Sequence, residues 1–227
     1  MKIIKLTSNH PFQNLATEDW AIRNLDTSDS DYLLLYTNTP SVVVGRNQNI
    51  YEEVNLEYCK KNNINICRRV SGGGTVFHDM GNLNWCFITS FDGKKVNQYE
   101  YFAKPIIAVL KKLGLHAHLD ERNAIRVDKL KVSGQAQFTN RKNILSHGTL
   151  LINSTLDFMQ KAIEIDRNTI IKSKAAKSVR SQVANLSTLL NREIANQEII
   201  QLLSIDKDQH KLSEEEKIAI NEIQKKV

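Results

Sequence analysis

The tightest constraint on this chain is Ser71-Gly72-Gly73-Gly74, three consecutive glycines set between an apolar run at 64–68 and a longer one at 83–91. Glycine has no Cβ, so such a segment can hold positive φ and bring its backbone close to a ligand, with N–H groups free to meet an anion. A bare glycine triplet serves equally well as a flexible hairpin turn. Its neighbours narrow the choice: Arg68 and Arg69 come just before it, Thr75, Val76, Phe77, His78 and Asp79 just after.

The pattern around this segment is strand-rich. Residues 2–6 read as a strand, and Pro11 opens a helix whose apolar positions Phe12, Leu15, Ala16, Trp20 and Ile22 fall near one face. Runs 32–36 and 41–45 are separated by the turn-like Thr37-Asn38-Thr39-Pro40 and read as a paired hairpin. A short helix at 55–62 and strands at 64–68 and 83–91 follow, then a helix at 99–113 stopped by Gly114. Four more short strands are expected at 115–119, 124–127, 131–138 and 144–152. The remainder turns helical at 156–163 and 196–203, and in a last helix whose capping box is Ser213 with Glu216. This order predicts an α+β fold, one mixed, largely antiparallel sheet with packed helices, rather than alternating βαβ units.

Composition supports one soluble domain spanning 1–227, since 41% hydrophobic and 25% charged residues match a chain that buries a core. The start of the chain shows neither an apolar signal core nor a transit segment, so the expected location is cytoplasmic, with no membrane partner. Cys59, Cys67 and Cys86 form no Cys-x-x-Cys pair, which argues against a disulfide framework and a structural zinc site. A net charge of +6 suits nucleic acid or an acidic protein surface equally.

Residues 68–79 resemble the signature of the lipoate-protein ligase A family, part of the superfamily that also holds biotin ligases and octanoyltransferases. Four further blocks resemble the same family in order: 42–48 with Arg46, 131–136 from Lys131 to Ala136, 147–151 from His147 and Gly148, and 178–186 with Arg180. The resemblance implies a class II synthetase and biotin ligase-like fold, and transfer of a lipoyl group, through lipoyl-AMP, to a lysine of a carrier domain. It implies ATP, Mg2+ and lipoate as the small molecules. The implied partners are lipoyl domains of 2-oxoacid dehydrogenase E2 or the glycine-cleavage H protein, and a separate accessory ligase subunit, with no nucleic acid.

Carried over residue by residue, the resemblance makes Lys131 the catalytic group, contacting the acyl carboxyl and the α-phosphate, where an ammonium offsets developing charge. Arg69 is similar to a nucleotide-contacting arginine, and Gly73, Gly74, Thr75, Val76 and Phe77 supply backbone and apolar contacts. His78 and His147 resemble pocket residues near the dithiolane end, and Gly148, Ala136, Arg46 and Arg180 complete the expected binding set.

Two departures stand out. Arg122-Asn123-Ala124-Ile125 resembles a family segment carrying an aspartate associated with magnesium, yet Ala124 has no oxygen to offer, leaving Asp120 or Asp128 as substitutes. The C-terminal accessory domain that many bacterial ligases append is not recognisable before Val227. The alternatives are a lipoyltransferase that needs preformed lipoyl-AMP or a partner, and a catalytically silent RNA-binding module, which the aromatic residues, mostly placed in apolar runs, disfavour. A cysteine acyl-enzyme is disfavoured because no cysteine follows Cys86, which sits in an apolar strand. His116, His118 and Asp120 alternate like a metal trio but read as a solvated strand face.

Overall fold

The computed structural model describes residues 1–164 and 173–225. It is an α+β fold built on three sheets. The largest has six strands in the order β10 (Gln135–Thr139), β11 (Asn143–Leu151), β6 (Asn82–Ser90), β2 (Tyr32–Tyr36), β1 (Lys2–Lys5) and β12 (Asp208–Gln209). The pairs from β10 to β2 are antiparallel, while β1 runs parallel to both its neighbours, which makes the sheet mixed.

Strand alternation divides the core in two. Leu33, Leu35, Leu83, Trp85 and Phe87 face one way, against helix α4 (Tyr99–Lys112) through Phe102, Ile106 and Leu110 and against α7 (Asn196–Ser204) through Ile199 and Leu203. Leu34, Cys86, Ile88 and Leu145 face the other way, against Ala16, Trp20 and Ala21 of α1 (Pro11–Asn24) and Ile220 of α8 (Glu214–Gln224). The capping box of α8 is formed as expected by Ser213 and Glu216. No helix among the described residues is long and apolar enough to cross a membrane.

The expected hairpin of 32–36 and 41–45 does not form. Strand β3 (Ser41–Val44) leaves the main sheet and pairs with β4 (Asn65–Arg68) and β5 (Val76–His78) in a second sheet. Both β2 and β3 are buried on both faces, and the connection bonds to the start of α1 instead of to itself: Thr39 N–H donates to Asn9 O at 2.8 Å and Asn14 Nδ2 to Asn38 Oδ1 at 2.8 Å. The strand expected over 131–138 is likewise two. Strand β9 (Leu130–Ser133) joins β8 (Ile125–Val127) and β7 (Ala117–Leu119) in a third sheet, and the chain crosses at Gly134 into β10. Patterning also missed the short helices α2 (Ile50–Glu53) and α6 (Leu186–Leu190); α3 (Leu56–Lys61) and α5 (Leu156–Ile163) fall where expected.

All three cysteines are free and buried. Burial pushes the Cys59 thiol up to about 11 and that of Cys67 to about 12, and Cys86, with Glu18 beside it, lies well above the ordinary thiol range.

Candidate active site

A cavity of about 560 Å³ opens between the main sheet and the β4-β3-β5 sheet. Its floor follows from strand register: Tyr36, Asn84 and Thr149 form one cross-strand row, and His147 and Ala136 lie in the next, where Cys86, their partner in register, is fully buried and does not line the cavity. Leu15, Val43 and Val76 form the facing apolar wall, so a slender apolar chain can lie between the two sheets.

The glycine segment closes one side. Gly73 holds φ +86°, and a Cβ on Gly45 would meet Gly73 O at 2.2 Å, so the loop rests directly on the end of β3. Arg69 straps it from within: Nε donates to Ser71 Oγ at 3.0 Å, Nη1 to Val43 O at 3.0 Å, and Nη2 to the carbonyls of Gly72 and Gly74 at 2.6 and 2.7 Å. Four of its five donors are thus spent on protein. Burial brings this guanidinium down to about 10, with Glu18 and Tyr36 opposing the shift.

Beneath the loop lies a buried polar relay. Tyr36 OH donates to Glu18 Oε1 at 2.9 Å, Glu18 Oε2 is 2.7 Å from His147 Nδ1, and His147 Nε2 is 2.6 Å from Ser71 Oγ. One assignment satisfies every member: His147 Nδ1–H donates to Glu18, and the Ser71 hydroxyl donates to Nε2 while accepting from Arg69. Glu18, Cys86 and His147 form the one cluster of metal-ligating type among the described residues, and both ring nitrogens of that histidine are already engaged, Nδ1 by Glu18 and Nε2 by Ser71.

The opposite rim is cationic. Lys131, half-buried on β9, lines the cavity beside Gly134, where an added Cβ would meet its Nζ at 2.9 Å. Burial lowers its pKa, Asp120 opposes that shift and Arg126 adds to it. Its backbone is pinned to the segment beyond Arg180, with Lys131 N–H donating to Gln182 O at 2.9 Å and Ala184 N–H to Lys131 O at 3.1 Å. Asp120, missed as a cavity residue, turns away from the exposed His116 and His118. Its Oδ1 accepts the N–H groups of Arg122 and Ala124, and its Oδ2 pairs with Arg126 Nε at 2.5 Å. Arg126 Nη2 in turn reaches Ser181 Oγ at 3.0 Å.

A double latch holds the 173–181 loop over the glycine segment. Glu52 accepts both the N–H and the hydroxyl of Ser173, and Glu53 those of Ser178. Ser178 Oγ also accepts from Thr75 N–H at 2.8 Å and from Gln48 Nε2 at 3.0 Å, tying α2, the glycine segment and the loop at one atom.

Of the residues expected from sequence, Lys131, Arg69, Gly73, Gly74, Thr75, Val76, His78, Ala136, His147, Gly148 and Arg180 line this cavity. Phe77 faces the core with Val42 and Val54 and reaches only an adjoining second cavity. Arg46 lies outside both, its guanidinium 5.9 Å from the Phe138 ring centre. Asp120, Tyr36 and Asn84 line the cavity without having been singled out, Asp120 except as a metal substitute; only the β2–β6–β11 register, a tertiary fact, brings Tyr36 and Asn84 together.

Comparison with known proteins gives this geometry its context. The chain is 44% identical over 190 residues to the lipoate-protein ligase LplJ of Bacillus subtilis, covering 84% of this chain and 57% of that protein. It is 41% identical over 223 residues to lipoate-protein ligase 1 of Staphylococcus aureus, covering 94% and 67%. The chain therefore spans little more than half to two thirds of the length of these relatives. Among solved structures, it superposes with TM-score 0.85 and 27% identity on an archaeal lipoylation system from Thermoplasma acidophilum, a bi-partite lipoate protein ligase and its E2 lipoyl domain, covering 99% of this chain and 92% of that one. A protein of that organism with bound lipoic acid matches at TM-score 0.85 and 26% identity, covering 99% and 95%, and a lipoate-protein ligase A bound with ATP at 0.81 and 25%, covering 99% and 94%. Residues 10–205 match the lipoyl protein ligase A/B catalytic domain, and the chain belongs to that family.

Proposed function

We propose that this chain is the catalytic domain of a lipoate-protein ligase, which joins lipoate to a carrier lysine by way of lipoyl-AMP. The observation that carries the reading is the position of Lys131: a half-buried ammonium lining the cavity together with Arg126 and Arg180. An acyl chain lying between the sheets with its carboxyl at Lys131 puts the activated carbon next to a phosphate-binding rim. A phosphate there would restore the charged form that burial of Lys131 disfavours. In transfer the carrier amine bonds to the acyl carbon, the bond to AMP breaks and the amine's proton passes to solvent, so the protein's contribution is alignment and charge offset.

Magnesium finds no evident seat of its own. Among the described residues the first cavity has one carboxylate, Asp120, and its oxygens are taken by Arg126 and two backbone N–H groups, while Glu52 and Glu53 of the second cavity hold the two serines. Magnesium binds through oxygen ligands.

The partner is a carrier domain of the E2 lipoyl type, supported by the E2 lipoyl domain of the archaeal relative and by the net charge of +6. The lipoyltransferase reading shares this site and differs in whether the chain forms lipoyl-AMP itself. Intact-mass analysis of an E2 lipoyl domain separates the two, with lipoate plus Mg-ATP in one reaction and lipoyl-AMP in the other. Modification in both is expected of a self-sufficient ligase; modification with lipoyl-AMP alone makes the chain a transferase or one dependent on an accessory unit. Absence of product in both would sink the proposal.

A further inference from the structure

We infer that Arg126, aimed by Asp120, meets the phosphate of the acyl-adenylate directly and offsets the charge that a protein-held magnesium ion would otherwise offset. That a phosphate comes here rests on the ligase reading; that Arg126 is prepared to receive one rests on its own contacts.

Six lysines and arginines line the cavity, and they are not equally prepared. Arg122, Lys177 and Arg180 are exposed, so each must give up side-chain freedom to hold a ligand. Arg69 is buried and has four of its five donors on protein. Only Lys131 and Arg126 are half-buried, and Arg126 is the arginine whose fork is both fixed and partly unspent.

Asp120 fixes it from a tight turn. Asp120 N–H donates to Ala124 O at 2.9 Å, its Oδ1 accepts the N–H groups of Arg122 and Ala124 at 2.9 and 2.8 Å, and Asn123 between them holds φ +60°. The carboxylate thus points its second oxygen, Oδ2, at Arg126 Nε, 2.5 Å away. Burial opposes the charged form of Asp120, but the bonds from Arg126, Ala124 and Arg122 hold its carboxyl below the ordinary range. Arg126 Nη1 donates to Lys129 O at 2.7 Å and Nη2 to Ser181 Oγ at 3.0 Å. Three of its five N–H groups are spent in holding the plane of the guanidinium, and two have no partner among the described residues.

A fork already held in place loses little freedom on binding, and planar N–H pairs suit phosphate oxygens. Donors fixed in advance at a partly desolvated site offset charge as it develops on the departing AMP. The same pairing explains why the cavity has no acid to give a metal: its single carboxylate is committed to this arginine. Besides burial, which lowers the pKa of Lys131, Asp120 raises it and Arg126 lowers it, so a phosphate between the two cations would favour the charge of both.

The test is calorimetric titration of AMP and of adenosine, each in EDTA and in magnesium chloride, into the wild-type chain and into Arg126→Ala and Asp120→Asn. Wild type is expected to bind AMP more tightly than adenosine, with an adenosine-to-AMP ratio of Kd values that EDTA changes by less than about twofold. Arg126→Ala should reduce that ratio by about tenfold while adenosine binding stays the same, and Asp120→Asn, which sets an amide donor against Nε, should reduce it by about threefold. Because both ligands are measured on one preparation, partial misfolding of a variant cancels from the ratio. A wild-type ratio near one, AMP binding that collapses in EDTA, or an Arg126→Ala chain that weakens both ligands alike or neither overturns the inference. A ratio left intact by Asp120→Asn overturns the aiming by Asp120. In each of these cases the ligase reading survives if the lipoyl domain is still modified. Ratios that behave as expected in a chain that modifies no carrier would uphold the phosphate contact and reject the ligase reading.

Discussion

Lys131 shows what a single side chain is asked to do here. Its ammonium is partly desolvated, and under the proposed function a phosphate and a carboxyl oxygen would share its charge, so Lys131→Ala should lower transfer from lipoyl-AMP by about 100-fold or more. Single-turnover transfer to a lipoyl domain, with circular dichroism to verify folding, checks this; full activity in the variant would remove Lys131 from the chemistry. His78 makes a second prediction, about stability. Its pKa is brought down from 6.5 to about 3 by burial first, then by Arg69 and His147. Below pH 6.5 the unfolded chain therefore takes up a proton that the folded chain refuses, and stability falls as pH falls across the window from 6.5 toward 3. The expected loss between pH 7 and pH 5 is about 2 kcal/mol, and chemical denaturation at the two pH values should show it shrinking in His78→Phe. Sequence readily exposes such residues when they sit in a motif, as Lys131 and His78 do. It conceals what they touch: Arg69 reads as a phosphate contact, yet four of its five donors are committed to Ser71 Oγ and to the carbonyls of Val43, Gly72 and Gly74.

At the scale of elements, the cavity depends on how loops are fastened to strands. Glu53 holds Ser178 by its N–H and its hydroxyl, and the same hydroxyl oxygen receives Thr75 N–H, so one carboxylate sets the glycine segment against the loop bearing Lys177 and Arg180. Glu53→Gln puts a donor where an acceptor is needed; the expected result is a rise of about tenfold in KM for lipoyl-AMP with a smaller change in kcat. An unchanged KM would make the latch dispensable. Gly45→Ala attacks the same assembly from below, because its Cβ would lie 2.2 Å from Gly73 O. It should lower stability by about 1–3 kcal/mol and weaken ATP and lipoate binding together, to be read from thermal melts with and without ligand. Helix α4 is legible because its apolar residues recur on one face, and β6 because a long apolar run lies between Gly81 and Gly93. The hairpin of β2 and β3 was misread because fully buried strands carry no alternation to reveal their partners, and the latch was invisible because Glu53 and Ser178 lie 125 residues apart.

For the whole molecule, the six-stranded sheet acts as a partition. One face carries the larger apolar core around Trp85 and Phe102, and the other gives way, along its length, from the α1 and α8 packing to the cavity. Function is thus built on the edge of a rigid core, and both Asn84 and Cys86 belong to the strand that divides the two. That placement of Cys86 bears on redox chemistry. A lipoyl group is a strained cyclic disulfide, and a thiolate within reach would open it by exchange, trapping the ligand as a mixed disulfide. Cys86 is fully buried and its thiol is held well above the usual range by desolvation and by Glu18. The protein should therefore hold oxidised lipoate without forming an adduct, and non-reducing intact-mass spectra after long incubation at neutral pH should show the unmodified chain alone.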